Sequence, residues 1–303
     1  MSAQQAAVTV RVPAKVNVQL AVGAARPDGF HDLANVFLAV SLHDEVTATP
    51  ADTLTITCAG PDADQVPLDR TNLAARAAGI LAARAGIEPA VHLHIAKNIP
   101  VAGGMAGGSA DGAAALLACD ALWGLNTPRA ELLDICAELG SDVPFSLVGG
   151  AALGTGRGEL LTPVEAGTFH WVFAVADGGL STPAVFREFD RLAEGRRIPE
   201  PEASPALLAA LASGDTDALG AELANDLQAA ALSLRPQLAR TLAAGVDGGA
   251  LAALVSGSGP TTAFLVADEE SAEKVAAALE ASGTCRATRI ASSPAQGATV
   301  LPS

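Results

Sequence analysis

The sequence predicts a two-domain α+β protein. Three observations lead there. The first hundred residues are dominated by alternating apolar and polar runs, the chain ends on a strand–turn–strand–helix–strand pattern, and the composition changes at SDVPFSLVGGAALGTGRG (141–158), so that the two domains are expected to meet near residues 155 to 170. A length of 303 residues fits two domains and is ample for a core. The expected division is 1–165 and 166–303.

The opening run VTVRVPAKVNVQLAV (8–22) alternates over two short stretches around Pro13. NVFLAVSL (35–42), EVTATP (45–50) and TLTITCAG (53–60) follow as strand candidates. TNLAARAAGILAARAG (71–86) predicts a helix opened by Thr71 or Asn72 and closed by Gly86. AVHLHIAK (90–97) alternates cleanly and delivers the chain into IPVAGGMAGGSADGAAALL (99–117), a bare glycine loop leading into a helix of small residues. In that helix Ala113, Leu116, Leu117 and Ala121 are expected on one face. TPRAELLDICAELG (127–140) predicts a helix capped by Thr127, with Pro128 first and Gly140 just past its end. SDVPFSLVGGAALGTGRG (141–158) reads as non-helical.

FHWVFAVAD (169–177) opens a second β segment, followed by alanine-rich helices from about 183 to 244 with a loop at GRRIPEPEASP (195–205). The segment from 250 to 291 gives the closing pattern, which suggests a small ferredoxin-like sheet. The residues after Ala291 read as a loose tail.

A formal net charge of −15 argues against a nucleic-acid partner and against an anionic membrane surface. A small anion held by local amides and one or two lysines remains compatible with it. Cys58, Cys119, Cys136 and Cys285 are scattered without metal-ligand spacing and read as reduced core residues of a cytoplasmic protein. The first twenty residues lack the pattern of a signal peptide, and no apolar run reaches membrane-spanning length.

Gly103, Gly104, Gly107 and Gly108 do not give the G-x-G-x-x-G dinucleotide spacing, and Ser109 stands where a Walker loop needs lysine. What remains is a glycine-rich turn at a helix start, whose free amides and dipole suit a polyphosphate. A plain strand-to-helix corner is equally compatible with the loop's composition. Asp111 would favour the helix dipole yet repel phosphate if it faced inward. His92 and His94 lie two apart on one strand with no third ligand nearby, and His43 has no catalytic partner.

Company changes the reading of the loop. VPAKVNVQLAVGAARPDGFHDLANVF (12–37), PVAGGMAGGSADGAAALL (100–117), ELGSDVPFSLVGG (138–150) and SGSGPTTAFLV (256–266) together resemble the GHMP kinases. More narrowly, PAK-N, R-DGFH-L and GSDVPF resemble the members that act on a cytidylated sugar alcohol on the non-mevalonate route to isoprenoid precursors. The resemblance runs through essentially the whole chain, in order. It implies a ribosomal-S5-like N-terminal domain, a ferredoxin-like C-terminal domain, and ATP-dependent phosphorylation of the alcohol's 2-hydroxyl.

It further implies a catalytic pair, Lys15 and Asp142. The chemistry suits them, since a carboxylate can take the hydroxyl proton while a lysine steadies the developing charge. The ATP-binding loop would be Pro100, Val101, Ala102, Gly103, Gly104, Met105, Ala106, Gly107, Gly108 and Ser109, with Mg2+ as the accompanying ion and its ligands unassigned. Asn17, Phe30, His31, Thr182 and Phe186 would contact the substrate: Phe30 and Phe186 by stacking on cytosine, His31 by hydrogen-bonding it. Phe30 stands where the family usually has tyrosine, and Met105, Ala106 and Ala110 replace a leucine, a glycine and a serine. A methyl at Ala106 requires ordinary φ there. Gly257 to Phe264 would shape the site from the second domain, although a turn between strands explains that stretch nearly as well. Expected partners are small molecules, ATP and the cytidylated alcohol, with monomer and homodimer both open. A homoserine or mevalonate kinase is the nearest rival, and DGFH is the motif that separates them. A non-catalytic nucleotide-binding regulator is the rival of another class, and retention of both Lys15 and Asp142 speaks against it.

Overall fold

The computed structural model describes residues 7–101 and 103–302; the first six residues of the stretch read for a signal, and Ala102 of the glycine loop, lie outside the described residues. Two sheets and their covering helices make up the molecule. The elements run β1 (Val8–Ala25), β2 (His31–Pro50), β3 (Thr55–Ala59), α1 (Leu73–Ala85), β4 (Val91–Ala96), α2 (Gly107–Trp123), α3 (Arg129–Leu139), α4 (Val143–Val148), β5 (Ala151–Thr155) and β6 (Leu160–Pro163). There follow β7 (Phe169–Val175), α5 (Thr182–Ala193), α6 (Pro205–Ser213), α7 (Thr216–Glu222), β8 (Ala224–Asn225), α8 (Gln228–Leu234), α9 (Gln237–Asp247), β9 (Ala252–Val255), β10 (Thr262–Val266), α10 (Glu269–Ser282), β11 (Ala287–Ser293) and β12 (Thr299–Val300). No helix among the described residues is long and apolar enough to cross a membrane.

The first sheet is built on the long β1–β2 hairpin, in the order β12-β1-β2-β4-β3, with β5 and β6 branching from β2 and β8 pairing β1. The two runs expected around Pro13 are one bulged strand. The register shifts between Pro13 and Ala14, and a bulge is where proline fits inside a ladder. The strand candidates at 35–42 and 45–50 likewise fuse into β2. Alternation sends Val12, Ala14, Val16 and Val18 into the core beneath α2 and leaves Lys15 and Asn17 together on the opposite face.

The second sheet runs β11-β7-β10-β9, all antiparallel. With α10 between β10 and β11, that is the ferredoxin-like arrangement anticipated from the closing pattern. On β7, Phe169, Trp171 and Phe173 join the main core, while Val172 and Ala174 pack with Val275 and Leu279 of α10. One strand thereby ties both halves together.

Caps fall where the sequence puts them at α1, between Asn72 and the left-handed Gly86. At α3 the cap is Pro128, and Arg129 is the first helical residue, one place later than expected. Three expectations fail outright. Residues 143–148 are helical rather than extended, because a proline in the first turn gives up only an amide that has no intrahelical partner. The single face expected on α2 is absent: Ala113 and Leu116 are buried, Leu117 is half-buried and Ala121 exposed, because α1, α3, α4 and the sheet surround most of the helix. The tail after Ala291 is docked, not loose. Ala295 N donates to Ala39 O (2.9 Å), Ala298 N to Ser146 O (3.0 Å) and Leu301 N to Thr9 O (2.8 Å).

Candidate active site

A cavity of about 690 Å³ opens between the two sheets, lined from both halves of the chain. Gly103, Gly104, Ala106, Gly107, Gly108 and Ser109 form one wall, and Lys15, Asn17 and Asp142 its floor. Phe30, His31, Thr182 and Phe186 line the other end. Pro100, Val101 and Met105 do not line it; Pro100 and Met105 are buried, and the Met105 carbonyl accepts Lys15 N at 3.3 Å.

The glycine loop is pinned from the C-terminal half. Thr261 N donates to Gly103 O at 3.2 Å, and Ser256 Oγ donates to Gly104 O at 3.1 Å. Gly104 has φ +77°, and a Cβ there would stand 2.2 Å from Ser256 O, so only glycine fits. The next surprise is Ala106, the residue that precedes α2. Its φ is 60° and ψ 29°, the left-handed region, against the expectation that a methyl here demands ordinary φ. The turn geometry needed to start α2 outweighs a strain of roughly 1–2 kcal/mol.

The first helical bond beyond that turn runs from Ala110 N to Ala106 O (2.8 Å). The amides of Gly107, Gly108 and Ser109 have no acceptor among the described residues and are the orphan donors of the helix start. Asp111 does not face them. It turns inward to Lys97 Nζ (2.8 Å), which also bonds Asp44, while Asp44 Oδ1 accepts Asn98 N (2.6 Å) and Ile99 N (2.8 Å). Asp111 is therefore neither the dipole partner nor the phosphate repeller foreseen from sequence. Burial opposes the charge on Lys97, but the two carboxylates outweigh it and raise its pKa.

Lys15 Nζ donates to Asn17 Oδ1 (2.6 Å) and Gly104 O (3.0 Å) and stands 3.8 Å from Asp142 Oδ2. Asn17 Nδ2 in turn donates to Asn35 Oδ1 at 2.7 Å. The i, i+2 spacing on β1 points Lys15 and Asn17 the same way. Burial lowers the Lys15 pKa and the nearby Asp142 opposes that shift. Asp142 caps α4, yet its side chain makes no cap hydrogen bond, which leaves the carboxylate to the cavity. Gly257 closes the floor, where a Cβ would lie 3.1 Å from Asn17 Oδ1 and 3.2 Å from Lys15 Nζ.

At the far end Thr182 Oγ1 and Ser258 Oγ are 2.8 Å apart. Phe30 is 51% exposed at the mouth, with Arg157 Cζ 5.0 Å from its ring centroid. His31 is buried against Phe186 and Phe189, and its Nε2 lies 2.9 Å from Asp190 Oδ1. Sequence reasoning missed Asn35, Arg157, Asp190 and the Lys97–Asp44 pair. The one available signal was Asp190, four residues beyond Phe186 on the same helix. His92 and His94 sit elsewhere, bonded to Thr55 and Thr57 on β3.

The model of the GHMP kinases N terminal domain matches residues 72–150, and that of the GHMP kinases C terminal matches 207–285. Lys15 and the Phe30–His31 pair lie outside both, so full-length relatives decide the branch. The 4-diphosphocytidyl-2-C-methyl-D-erythritol kinase of Streptomyces avermitilis is 78% identical over 295 residues, 97% of this chain and 99% of that protein. The chain belongs to the 4-diphosphocytidyl-2-C-methyl-D-erythritol kinase family of GHMP kinases.

The kinase of the same description from Thermobifida fusca is 59% identical, over 97% of this chain and 98% of its own. A crystal structure of a 4-(cytidine 5'-diphospho)-2C-methyl-D-erythritol kinase superposes with a TM-score of 0.76 at 31% identity, covering 94% of this chain and 99% of that one. Homoserine kinase from Cytophaga hutchinsonii matches equally well in shape, TM-score 0.76 over 99% of both chains, but at 20% identity it speaks for the fold alone. This GHMP kinase is a small-molecule kinase, and ATP is the phosphoryl donor expected of it.

Proposed function

We propose that this kinase transfers the γ-phosphoryl group of ATP to the 2-hydroxyl of 4-diphosphocytidyl-2-C-methyl-D-erythritol, in the cytoplasm, on the non-mevalonate route to isoprenoid precursors. The names of its relatives supply the substrate. The observation that carries the reading is the sharing of one cavity by the Lys15–Asp142 pair, the free amides of Gly107 to Ser109, and the Phe30, His31 and Phe186 cluster. We also propose the division of the chain into 1–165 and 166–303.

In this mechanism Asp142 accepts the hydroxyl proton as the alcohol oxygen bonds to the γ-phosphorus and the bond to the ADP oxygen breaks. Lys15, fixed by Asn17 and Gly104, holds the carboxylate in place and offsets the growing negative charge. The amides of Gly107 to Ser109 cradle the ATP phosphates. Among the described residues no group of three His, Cys, Asp or Glu side chains could hold a metal ion. The Ser109 hydroxyl, the loop's side-chain oxygen donor, would nonetheless suit a magnesium ion that arrives on the nucleotide. That ion would supply charge neutralisation on the transferring phosphates. Phe30 and Phe186 stack on the cytosine, His31 bonds its edge, and Asn17 and Thr182 contact the polar groups of the alcohol.

A coupled ADP-release assay tests the proposal. ADP is expected with the cytidylated alcohol and not with homoserine or mevalonate; turnover of either of those in preference to it would sink the substrate assignment.

A further inference from the structure

Asn225 has its whole amide committed, and both donors go to one turn. Nδ2 donates to Val255 O at 2.7 Å and to Gly257 O at 2.8 Å, while Oδ1 accepts Leu227 N at 2.9 Å. Two carbonyls on one side and an N–H on the other fix which end of the amide is which. The turn so gripped joins β9 to β10, and the residue between the two held carbonyls is Ser256.

Ser256 faces the glycine loop. Its Oγ donates to Gly104 O at 3.1 Å, and the same carbonyl accepts the Lys15 ammonium at 3.0 Å. Gly257 comes so close that a Cβ on it would stand 3.2 Å from Lys15 Nζ. The grip is seated on the strand that carries the lysine. Asn225 pairs with Leu20 of β1, Asp226 N donates to Leu20 O at 2.9 Å, and Asp226 Oδ2 accepts Val22 N at 2.8 Å. Direct contacts therefore run from β1 through Asn225 and the turn to Gly104, and back to the Lys15 side chain. Asn225 itself does not line the cavity.

We infer that Asn225 is a positioning residue for phosphoryl transfer, which holds Ser256 and Gly257 in register with β1 and so sets where the Lys15 ammonium stands relative to Asp142. The inference rests on the Lys15–Asp142 mechanism proposed above. Alanine at 225 would leave both carbonyls without this partner, and an ionised aspartate would bring a carboxylate against them with no hydrogen to offer. A reacting group misplaced by about 1 Å can cost ~100-fold in rate, so the effect belongs in kcat.

Steady-state kinetics of Asn225→Ala test this. Its kcat is expected to fall ~10- to 100-fold, with KM for ATP and for the cytidylated alcohol within about threefold of wild type. Asn225→Ser keeps one donor and should lose less; it carries the test if the alanine variant does not fold. Gln228→Ala is the control, because it frees Val255 N on the same turn and leaves both Asn225 bonds in place. Its kcat should stay within about twofold of wild type. In a Lys15→Ala background, Asn225→Ala should have little further effect on kcat, since the two side chains act as one unit. Asn225 variants with wild-type kcat, a loss confined to KM, an equal loss in Gln228→Ala, or an undiminished loss in the Lys15→Ala background would each overturn the inference and leave the kinase reading standing. A Lys15→Ala enzyme with wild-type kcat would instead overturn the mechanism beneath it.

Discussion

Lys97 Nζ lies 2.8 Å from Asp111 Oδ2 directly behind the glycine loop, and the same ammonium serves Asp44. A Cβ on Gly107 would come within 2.9 Å of it, so the cation touches the back of the cradle. The three groups join the end of β4, the middle of β2 and the start of α2. Two buried carboxylates share one buried ammonium, and Asp111 Oδ1 has no partner among the described residues. Burial, the largest cause, and the neighbouring Asp44 push the Asp111 carboxyl up to about 7, with Lys97 opposing.

This sets a pH dependence of folding. A carboxyl whose folded pKa is raised stabilises the fold fully below its unfolded value near 3.8 and loses that contribution as pH rises through about 7. Asp111→Asn cannot titrate. The stability of the wild type relative to Asp111→Asn is therefore expected to increase by on the order of 2 kcal/mol between pH 8 and pH 5. Urea midpoints at the two pH values measure this, and an unchanged gap contradicts it.

Ala106 gives a second prediction. Its left-handed conformation costs roughly 1–2 kcal/mol, part of which glycine returns as unfolded-chain entropy. Ala106→Gly should raise stability by about 0.5–1 kcal/mol, a few degrees at most in Tm. Ala106→Val should lower Tm and raise KM for ATP, since a β-branched residue fits that region worst. Thermal melts of the three proteins decide between strain and indifference at this position.

Asp142→Asn should lower kcat by ~10²- to 10⁴-fold while the Kd for ATP stays within about twofold. There is also a sign to check. Burial already depresses Lys15, and Asp142 is what opposes the depression. Loss of that carboxylate should let Lys15 deprotonate at still lower pH. The alkaline limb of the residual activity is thus expected to move to lower pH than in the wild type; a shift the other way would disprove the pairing.

The two halves of the chain are also joined by Arg286 at the head of β11, whose two terminal nitrogens lie 2.5 and 2.9 Å from the oxygens of Asp62. Arg286 holds the Asp62 carboxyl below its usual range. Such a group stabilises above its unfolded pKa and loses that contribution as pH falls through the lower folded value. The guanidinium is partly exposed but the Asp62 carboxylate is buried, so Arg286→Ala leaves that carboxylate without its cation and should cost about 1–3 kcal/mol at pH 7. That penalty should shrink as pH falls below the ordinary carboxylate value of 3.8, as read from denaturant midpoints.

Local signals survived folding well. The hairpin strands, the Asn72 and Gly86 caps and the closing β-α-β pattern depend on neighbours a few residues away. That Lys15, His31, the loop glycines and Asp142 meet at one cavity is anticipated by the motifs that carry them, PAKVN, DGFH, GGMAGGS and GSDVP. The hydrogen bond from His31 to Asp190 spans 159 residues, and that from Lys97 to Asp44 spans 53, and nothing in either local stretch announces its partner. α4 was misread for a different reason. Pro144 argues for extended backbone before it, and only the burial of Val143, Phe145 and Leu147 in the assembled core tips that turn into a helix. The bound tail after Ala291 was invisible because its partners are backbone groups of Ala39, Ser146 and Thr9, which carry no sequence signature.

One oxygen carries more than its share. The carbonyl of Gly104 receives the Lys15 ammonium on one side and the Ser256 hydroxyl on the other. A displacement of Gly104 would break both contacts together, while the bond from Lys15 to Asn17 Oδ1 would remain. The seat of the loop against the C-terminal half and the second hold on the lysine thus depend on a single peptide group.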